Sequence, residues 1–436
     1  MKSRFFFVFI SGVTLLLLLA LTLSNLLART PMETDSLALR IGISVTLTFL
    51  IVLLIRYFVL LWLGYLQHIE AKVTEDREDF LPPVTLLIPC YNEGVVIQSA
   101  IRSLLELDYP TYEILVIDDG SSDDTYARAA ELEGRYGGAV VRVISKANGG
   151  KAAALNTGIS LARSSYIACM DGDARLDRGS IRAAMRHFAD PRVGAVAGNV
   201  KVVNRVNLWT RLQALEYIEG LNMARRAQGF VRAVNIIPGP IGVFRRDVLA
   251  EVGGYSTDTF AEDADLTLKV LTAGWQIVYE ERAVARTEAP EQLLDLIKQR
   301  YRWTRGILQA LRKRAGWLVV PRGGMAVWVS MLAMLFEAII WPVMNVLGNL
   351  VFAVAAISSG AAQFVIYWWI LLTLLDVAAA LHTVAMEEEQ LSLVPYAVVY
   401  RFFFVVLIDV AKLFATMEEA FNVKMTWGKL ERAGRI

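Results

Sequence analysis

YIACMDGDA, residues 166–174, is a short apolar run that ends in two aspartates with one glycine between them. Hard divalent cations prefer oxygen ligands, and a metal on a phosphorylated ligand usually binds one or two carboxylates together with phosphate oxygens. Asp171 and Asp173 at the end of a strand suit that chemistry, because Gly172 lets the backbone turn tightly between them. An acidic turn after a strand explains the same residues equally well, so the surrounding sequence has to decide.

Around this stretch, short apolar runs alternate with helical patterns from Val84 onwards. The runs predict strands at 84–88, 113–117, 140–144 and 166–170, and the helical patterns predict helices at 95–107, 125–136 and 152–162. Such alternation is typical of an α/β domain with a parallel sheet and helices on both faces. Less regular patterns predict further strands at 194–203 and 236–244 and further helices at 208–228, 262–273 and 291–314.

Three predicted strands end in polar and turn-forming residues, at the edge where ligands bind in such sheets. These ends are PCYNE (89–93), DDGSSDDT (118–125) and MDGD (170–173). Asp118 and Asp119 can accept hydrogen bonds from a base or a ribose, as acidic residues do at other nucleotide sites. Ser122 or Asp123 can cap the following helix in the same stretch. The agreement among three strand ends favours a binding site over an incidental acidic turn.

Two shorter motifs add weaker evidence. Lys151 follows two glycines and opens a predicted helix. Glycines let a backbone approach a ligand and a helix N-terminus attracts anions, so Lys151 can pair with a phosphate, although the motif lacks the spacing of a Walker loop. Glu262 and Asp263 open another predicted helix, where acidic residues are also common for structural reasons.

Gln299, Arg302 and Trp303 are spaced i, i+3 and i+4, so they share one face of a predicted helix. An indole can stack on a sugar ring, and an arginine can neutralise a diphosphate through two parallel hydrogen bonds. An aromatic packing face with a solvated arginine is the structural alternative.

The composition excludes both an ordinary soluble protein and an entirely membrane-embedded one. The 436 residues are 55% hydrophobic and 20% charged, and long uncharged runs lie near both ends. The runs at 5–27 and 37–66 predict two membrane spans, and those at 327–357, 364–385 and 394–416 predict three more. Basic residues before the first run favour a cytosolic N-terminus, and the second span then returns the chain to the cytosol.

The predicted organisation has five parts: two spans in 1–69, a cytosolic domain in 70–290, a basic amphipathic helix region in 291–325, further spans in 326–416 and a basic tail in 417–436. The amphipathic helix is expected to lie on the membrane surface. Three C-terminal spans would leave the tail outside, although Lys424, Lys429, Arg432 and Arg435 favour the inside. The parity of the spans stays open at this point.

Other chemistry is not expected from this sequence. Cys90 and Cys169 end apolar strand-like runs and are interpreted as buried, reduced thiols of a cytosolic domain. The three histidines are scattered, so a zinc site is not expected. The net charge of +1 gives no indication of a nucleic-acid partner, and none is expected.

Together these residues resemble the processive family 2 glycosyltransferases of bacterial membranes, which have the GT-A (Rossmann-like) α/β fold. The resemblance is carried by PCYNE, DDGSSDDT, NGGKAAALNTG, MDGDA, AEDADL and QRYRW, in the family's order, between Val84 and about Gly306. GAVAGNVKVVN and GVFRRDVLAEVGGY are most similar to poly-β-1,6-N-acetylglucosamine synthases, with chitin-oligosaccharide and hyaluronan synthases close behind. Ala261 stands where the family usually has threonine, and residues 304–306 differ from the commonest polyglucosamine form.

The resemblance implies a cytosolic GT-A domain inserted between N- and C-terminal transmembrane helices of the bacterial inner (cytoplasmic) membrane. Asp119 and the loop of Tyr91 would hold the uridine of a UDP-sugar. Asp171 and Asp173 would position Mg²⁺ or Mn²⁺ on the diphosphate, and Asp263 would be the general base. The implied donor-site residues are Pro89, Tyr91, Asn92, Glu93, Asp118, Asp119, Lys151, Asp171 and Gly172. The implied catalytic and acceptor-end residues are Asp263, Glu262, Gln299, Arg302 and Trp303.

The implied activity is the inverting, metal-dependent polymerisation of a UDP-sugar, N-acetylglucosamine first, into a β-linked extracellular polysaccharide that the spans guide outward. Its partners would be the UDP-sugar donor, the growing polysaccharide, the lipid bilayer and a small membrane accessory subunit. Hyaluronan-, chitin- or cellulose-like synthesis from another UDP-sugar is an alternative. Transfer of a single sugar to a lipid acceptor is another, but such enzymes usually lack the Gln-x-x-Arg-Trp face. An inactive nucleotide-binding regulator is disfavoured by the intact Asp171, Asp173, Asp263 and Arg302.

Overall fold

The computed structural model describes residues 36–73, 79–321, 323–359 and 362–423. The predicted span at 5–27 and most of the predicted basic tail, with Lys424, Lys429, Arg432 and Arg435, lie outside these ranges. Within them, an α/β domain follows one long apolar helix and precedes several more.

A nine-stranded sheet forms the centre of the described domain. Its strands are β1 Val84–Cys90, β2 Tyr112–Asp118, β3 Gly134–Tyr136, β4 Ala139–Ser145, β5 Tyr166–Cys169, β6 Ala174–Leu176, β7 Val193–Val202, β8 Gly242–Arg245 and β9 Gln276–Thr287. They lie in the order β3-β4-β2-β1-β5-β8-β7-β9-β6. The predicted parallel pairing is confirmed for β4, β2, β1 and β5, whereas β3, β6 and β8 run antiparallel to their neighbours. The sheet is therefore mixed and not purely parallel.

The central strands are buried on both faces. Every residue of β1 and β2 is buried, as expected for strands that helices cover from two sides. Successive side chains of a strand point to opposite faces. Leu86 and Ile114 accordingly lie in one apolar cluster, while Leu87 and Leu115 lie in the other. The predicted arrangement of helices on both faces is confirmed.

Helices connect and extend the sheet. They are α1 Leu37–Val73, α2 Ile97–Leu105, α3 Thr125–Ala130, α4 Lys151–Leu161, α5 Ser180–Met185, α6 Leu208–Glu216, α7 Met223–Phe230, α8 Arg246–Glu251, α9 Glu262–Thr272, α10 Leu293–Lys313, α11 Ala315–Val319, α12 Met325–Leu335, α13 Trp341–Ser359, α14 Ala362–Met386, α15 Tyr396–Val399 and α16 Val405–Ala420. π-helical turns at Tyr217–Asn222, Phe336–Ile340 and Tyr400–Phe404 join α6 to α7, α12 to α13 and α15 to α16. The remaining helical turns are 3₁₀, at Arg186–Ala189 and Leu391–Leu393.

The sequence patterns fail at several places. The helix predicted at 125–136 ends at Ala130, because Gly134 begins the short strand β3, which pairs with β4. The strand predicted at 236–244 is correct only from Gly242, at β8. The strands β6 and β9 were not predicted at all.

Four described helical segments are long and apolar enough to cross a membrane: Leu37–Ala71, Met325–Ser358, Ile366–Met386 and Leu391–Ala420. α1, α13 and α14 share an apolar cluster of their own, which includes Leu50, Phe352 and Trp368. The C-terminal part of α1 leaves this cluster and packs on α7, where Gly64 lies beside Arg226. The long apolar helices therefore join the sheet domain through direct packing.

Candidate active site

The polar loops predicted from the sequence meet at one edge of the sheet. β1 and β2 end at Cys90 and Asp118, which are paired in register, and β5 ends beside β1 at Cys169. A backbone hydrogen bond from Asp119 N to Cys90 O, at 2.9 Å, continues the pairing beyond the strands. The carboxyl ends of neighbouring parallel strands thus bring the three loops together.

The loop after β1 is fixed by the loop after β2. Asn92 donates from its backbone N to Ser121 Oγ at 2.9 Å, and its side-chain Oδ1 accepts from Ser122 N at 2.8 Å. Glu93 N donates to Thr125 Oγ1 at 2.7 Å. Asn92 has a φ of 53°, a left-handed conformation that asparagine tolerates better than most residues. The predicted donor loop is therefore preformed, and it leaves the side chain of Tyr91 exposed.

Asp118 and Asp119 are buried and hydrogen-bonded within the protein. Asp119 accepts from Gly150 N at 2.7 Å, from Gly149 N at 3.0 Å and from Lys146 Nζ at 2.6 Å. Asp118 accepts from a serine hydroxyl of β4 at 2.9 Å. Gly150 has a φ of 86°, which favours glycine at this turn. Asp119 thus shapes the glycine loop that begins α4, and Asp118 fixes the end of β4.

Lys151 links the end of β5 to the start of α9. Its Nζ lies 2.7 Å from Asp171 Oδ1 and 2.8 Å from Glu262 Oε1. Burial alone would lower the pKa of Lys151, but Asp171, Glu262 and Asp263 together raise it well above its ordinary value. The positive charge of Lys151 therefore interacts with three neighbouring carboxylates, which come from two separate sequence motifs.

The carboxyl group of Asp263 has a raised pKa. Burial and the neighbouring Glu262 raise the pKa of Asp263 to about 6, although Lys151 opposes the shift. Its Oδ1 accepts a hydrogen bond from Ala264 N at 2.7 Å, which fixes the carboxylate at the first turn of α9. A carboxylate with a pKa near 6 is suited to removing a proton from a hydroxyl at neutral pH.

A loop between two prolines lies against this cluster. A Cβ on Gly239 would lie 2.9 Å from Asp171 Oδ2 and 3.1 Å from Lys151 Nζ, so only a glycine fits without displacing them. Gly172 similarly allows the close approach of Pro89 O, at 3.2 Å from an added Cβ. The narrow crevice is lined by Pro89, Lys151, Leu155, Cys169, Met170, Asp171, Gly239, Tyr255, Glu262 and Asp263.

α10, which carries QRYRW, packs tightly on the start of α9. A Cβ on Gly306 would lie only 2.4 Å from both Cβ and N of Ala261, so the two backbones touch here. Trp303 lies one turn before Gly306 on the same helix. The helix of the predicted acceptor-end residues is thereby anchored two residues from Asp263.

Trp303 is held by side chains that the sequence reasoning missed. The Arg300 guanidinium stacks 4.2 Å from the centre of its ring, and the Tyr217 ring lies 6.4 Å away. Arg300 also donates to the side chains of Gln299 and Glu216. Gln299 is thus buried and turned towards Arg300, while Arg302 is partly exposed on the same helix.

The predicted metal ligands lie on either side of Gly172 but in different surroundings. Asp171 faces Lys151, whereas Asp173 is buried and lies close enough to Tyr217 to help burial raise the pKa of that tyrosine. The described residues contain no group of three histidine, cysteine or acidic side chains that could complete a metal site alone. Their hard oxygen donors fit Mg²⁺ or Mn²⁺ that shares its remaining coordination with phosphate oxygens.

Sequence reasoning missed the Lys151–Glu262 pair, Gly239, Tyr217 and the Arg300–Glu216 pair. Gly306 was the one local signal available, since a glycine inside a helix pattern often marks a close approach of another backbone. The other contacts depend on how β5, β8 and α9 come together, which no local pattern reveals.

A mixed sheet with an acidic crevice at its carboxyl edge, followed by an aromatic–arginine helix, defines a glycosyltransferase of the GT-A type. Residues 82–306, just over half of the chain, match the model described as "Glycosyltransferase like family 2", and the chain belongs to that family. In fold it is similar to a solved mannosyltransferase from Pyrobaculum calidifontis in complex with GDP-mannose and Mn²⁺. That similarity has a TM-score of 0.59 and 21% identity, and it covers 86% of this chain and 98% of the other.

Two curated relatives are both named poly-β-1,6-N-acetyl-D-glucosamine synthase. The one from Staphylococcus epidermidis is 32% identical over 249 residues, which cover 57% of this chain and 60% of the relative. The one from Staphylococcus aureus (strain COL) is 34% identical over 236 residues, which cover 54% of this chain and 57% of the relative. The matched region thus spans somewhat more than half of each relative's length.

The contact between Gly306 and Ala261 gives a direct test of the α9–α10 anchor. Gly306→Ala is expected to destabilise the protein by about 1–3 kcal/mol through overpacking and to lower glycosyl transfer more than stability alone explains. Gly316→Ala is the matched control, because an added Cβ there meets nothing within 4 Å. Thermal unfolding and nucleotide release would be measured for both variants. Equal behaviour of the two would show that α10 does not depend on this contact.

Proposed function

We propose that this glycosyltransferase uses UDP-N-acetylglucosamine to extend a β-linked extracellular polysaccharide at the bacterial cytoplasmic membrane. Its catalytic domain faces the cytosol, and its apolar helices hold it in the bilayer and guide the polymer outward. The two relatives named as poly-β-1,6-N-acetyl-D-glucosamine synthases support this choice of sugar and polymer. The long apolar helices support the location.

The observation that carries the proposal is the cluster of Lys151, Asp171, Glu262 and Asp263. It places a carboxyl group of raised pKa beside charged groups at the carboxyl edge of the sheet. A proton-accepting group next to a diphosphate site is what inverting sugar transfer requires, because the acceptor hydroxyl must lose its proton as the leaving group departs.

In the proposed reaction, Asp263 takes the proton of the acceptor hydroxyl. The acceptor oxygen then forms its bond to the anomeric carbon while the bond to the diphosphate breaks, and an α-linked donor becomes a β-linked product. Tyr91, Asn92 and Glu93 line the nucleotide side with Asp119, and Lys151 neutralises charge beside the diphosphate. Trp303 supports the acceptor sugar, and Arg302 and Gln299 complete that end of the site.

Mg²⁺ or Mn²⁺ is the proposed cofactor, held by Asp171 and Asp173. When bound, the ion would neutralise charge that develops on the leaving diphosphate. The carboxylate oxygens of these two residues suit a hard cation, and the donor's phosphates would supply the remaining ligands. A small membrane accessory subunit stays a proposed partner.

The test is UDP release by the purified chain in nanodiscs, with UDP-N-acetylglucosamine, UDP-glucose and UDP-glucuronate offered singly and in pairs. Turnover with UDP-N-acetylglucosamine alone, giving a product that a β-1,6-hexosaminidase cuts and chitinase does not, is the expected result. A chitinase-sensitive product would move the proposal to chitin-like synthesis. Turnover only with another donor, or with a donor pair, would overturn the proposed sugar.

The raised pKa of Asp263 predicts an acidic limit to activity. Because burial and Glu262 hold this pKa at about 6, the base is protonated below that pH. The rate at low substrate concentration is therefore expected to fall about tenfold per pH unit below pH 6, as for a single essential base. Lys151→Gln removes the positive charge that lowers the pKa of Asp263. The activity of this variant should therefore begin to fall at a higher pH than that of the original protein. A limit near pH 4 in both proteins would contradict the role of Asp263.

A further inference from the structure

The segment Leu391–Ala420 is the last of the four described candidate spans. Its length and composition predict a crossing helix, and a crossing would place the following residues on the far side of the membrane from the catalytic domain. The contacts of its two ends disagree with that prediction.

The first end is bound to the catalytic domain. Glu389, just before the segment, lies 2.7 Å from Arg205 and 3.1 Å from Lys201. Arg211 Nη1 donates to Tyr396 Oη at 2.5 Å. Leu393 is buried in the apolar cluster that also contains β1 and β2 side chains. This end therefore belongs to the surface of the sheet domain.

The middle of the segment stays on the domain. Phe404 and Ile408 are buried against Leu212 of α6 and Leu296 of α10. Both of those helices belong to the catalytic domain, and α10 is anchored to α9 at Gly306. The segment therefore continues along the same side of the domain.

The last end is bound to the domain as well. Glu419 lies 3.0 Å from Arg305 Nε and accepts from Gln309 Nε2 at 3.0 Å. Arg305 also donates to Val423 O at 2.7 Å, beyond the end of the helix. Arg305 is almost fully buried, so these are not loose surface contacts.

A crossing helix cannot make all of these contacts. Thirty residues extend about 45 Å as a helix, and the hydrocarbon core of a bilayer is about 30 Å thick. A helix that crosses it puts its two ends in different aqueous phases, and only one of them can reach the domain. We propose that Leu391–Ala420 does not cross the membrane but lies along the membrane-facing side of the catalytic domain.

The outward face of this helix fits the acyl-chain region of the bilayer. Phe403, Val410, Phe414, Met417 and Phe421 are exposed and follow one another at i, i+7, i+11, i+14 and i+18. At 100° per residue they form one stripe, away from the buried Phe404, Ile408 and Ala415. We call these five residues the aromatic stripe. An exposed apolar stripe of this length marks an interaction surface.

The bilayer is the partner that covers the aromatic stripe, because the stripe continues the lipid-facing surface of the neighbouring helices. Phe402 stacks on Trp369 of α14, with ring centres 4.8 Å apart. Asn345 of α13 donates to Asp409 Oδ2 at 2.6 Å. α13 exposes apolar side chains of its own, among them Leu350. Residues after the segment then lie on the side of the catalytic domain, as the lysines and arginines of the tail favour.

Topology mapping of the full chain tests the first part of the proposal. Green fluorescent protein, which fluoresces only in the cytoplasm, and alkaline phosphatase, which is active only outside it, would be fused after Ile436. Single cysteines at Tyr136 in the catalytic domain and at Ser358 at the end of α13 provide the two references, since both sites are exposed. The native Cys90 and Cys169 are buried.

The expected result is a fluorescent fusion and an inactive phosphatase. An impermeant maleimide should then label Ser358→Cys in intact cells and Tyr136→Cys only after permeabilisation. Phosphatase activity together with this labelling of the two references would show that Leu391–Ala420 crosses, and would overturn the proposal. The proposal requires only that the C-terminal reporter and Tyr136→Cys lie on the same side of the membrane, whether that side is the cytoplasm or the exterior.

A nitroxide attached at Phe414→Cys tests the lipid contact in nanodiscs. High accessibility to oxygen and low accessibility to a water-soluble nickel chelate are expected, with the reverse at Tyr136→Cys. Access of the nickel chelate to position 414 would show that the aromatic stripe faces water. Shielding from both reagents would show that protein covers it. Either result would overturn the bilayer as the occupant.

Discussion

Asp263→Asn is expected to lower turnover by about 10²–10⁴-fold while leaving donor binding intact, because a positioned general base contributes a factor of that size. Asparagine has the same shape as aspartate, and its Oδ1 can still accept from Ala264 N. It cannot accept a proton from the acceptor. The substitution also removes one negative charge beside Lys151, so an anionic donor should bind at least as well as before.

Glu262→Gln is the matched control for that variant. It removes the neighbouring carboxylate, which pairs with Lys151 at 2.8 Å, but leaves Asp263 in place. We expect a smaller loss of turnover, with the acidic limit moved to lower pH, since Glu262 helps to raise the pKa of Asp263. UDP release and donor binding by calorimetry would be measured for both. Near-normal turnover in Asp263→Asn, or a larger loss in Glu262→Gln, would exclude Asp263 as the base.

The parts of the fold that could be predicted are those whose burial is visible in the sequence. β1 and β2 are mostly apolar runs between turn formers and are buried along their whole length, as parallel strands covered on both faces require. β4 alternates between buried and partly exposed residues, which is the period of a strand with one buried face. β9 could not be found this way. Its Glu280 pairs with Arg186 at 2.6 Å, and Glu281 pairs with Arg226. Charges neutralised by distant partners make a buried strand look like an exposed loop.

In the candidate site, too, some parts could be predicted from the sequence and others could not. The Asp118 and Asp171 loops were predictable, because polar residues at strand ends identify the edge where ligands bind. The approach of Lys151 to Glu262 was not, since it depends on the antiparallel pairing of β5 with β8 and the position of α9 behind them. The role of Gly239 was hidden by the strand pattern around it, which misled the prediction for 236–244.

Under the proposed topology, there is a physical reason why hydropathy predicts a crossing helix for the last span. High hydropathy shows only that the side chains of a helix are shielded from water. A helix that lies between lipid and protein is shielded as completely as a helix that crosses the membrane. Asp409 and Arg401 on this segment are buried against polar partners from α13 and α14, so their charge does not interrupt the apolar pattern enough to prevent the prediction. Only contacts at both ends distinguish the two cases.

The second large effect is expected at the Arg300–Glu216 pair. Arg300 is almost fully buried, stacks on Trp303 and donates from Nε to Glu216 Oε1 at 3.0 Å. Arg300→Ala leaves the Glu216 carboxylate without this partner in a largely buried site, so a loss of about 3–5 kcal/mol in unfolding free energy is expected. Glu216→Ala should cost a similar amount, because it leaves the guanidinium unpaired instead.

The double variant Arg300→Met, Glu216→Leu separates stability from function. Removing both charges together leaves no unpaired ion. The double variant should therefore lose much less unfolding free energy than the two single variants added together, and its stability should lie close to that of the original protein. Trp303 nevertheless loses the guanidinium that stacks on it, and turnover with a short oligosaccharide acceptor should fall through a raised KM for that acceptor. Thermal unfolding and acceptor-dependent UDP release would measure the two effects. Full activity in a stable double variant would show that the pair only holds α6 to α10, whereas a selective acceptor defect would make Arg300 a positioning residue for Trp303.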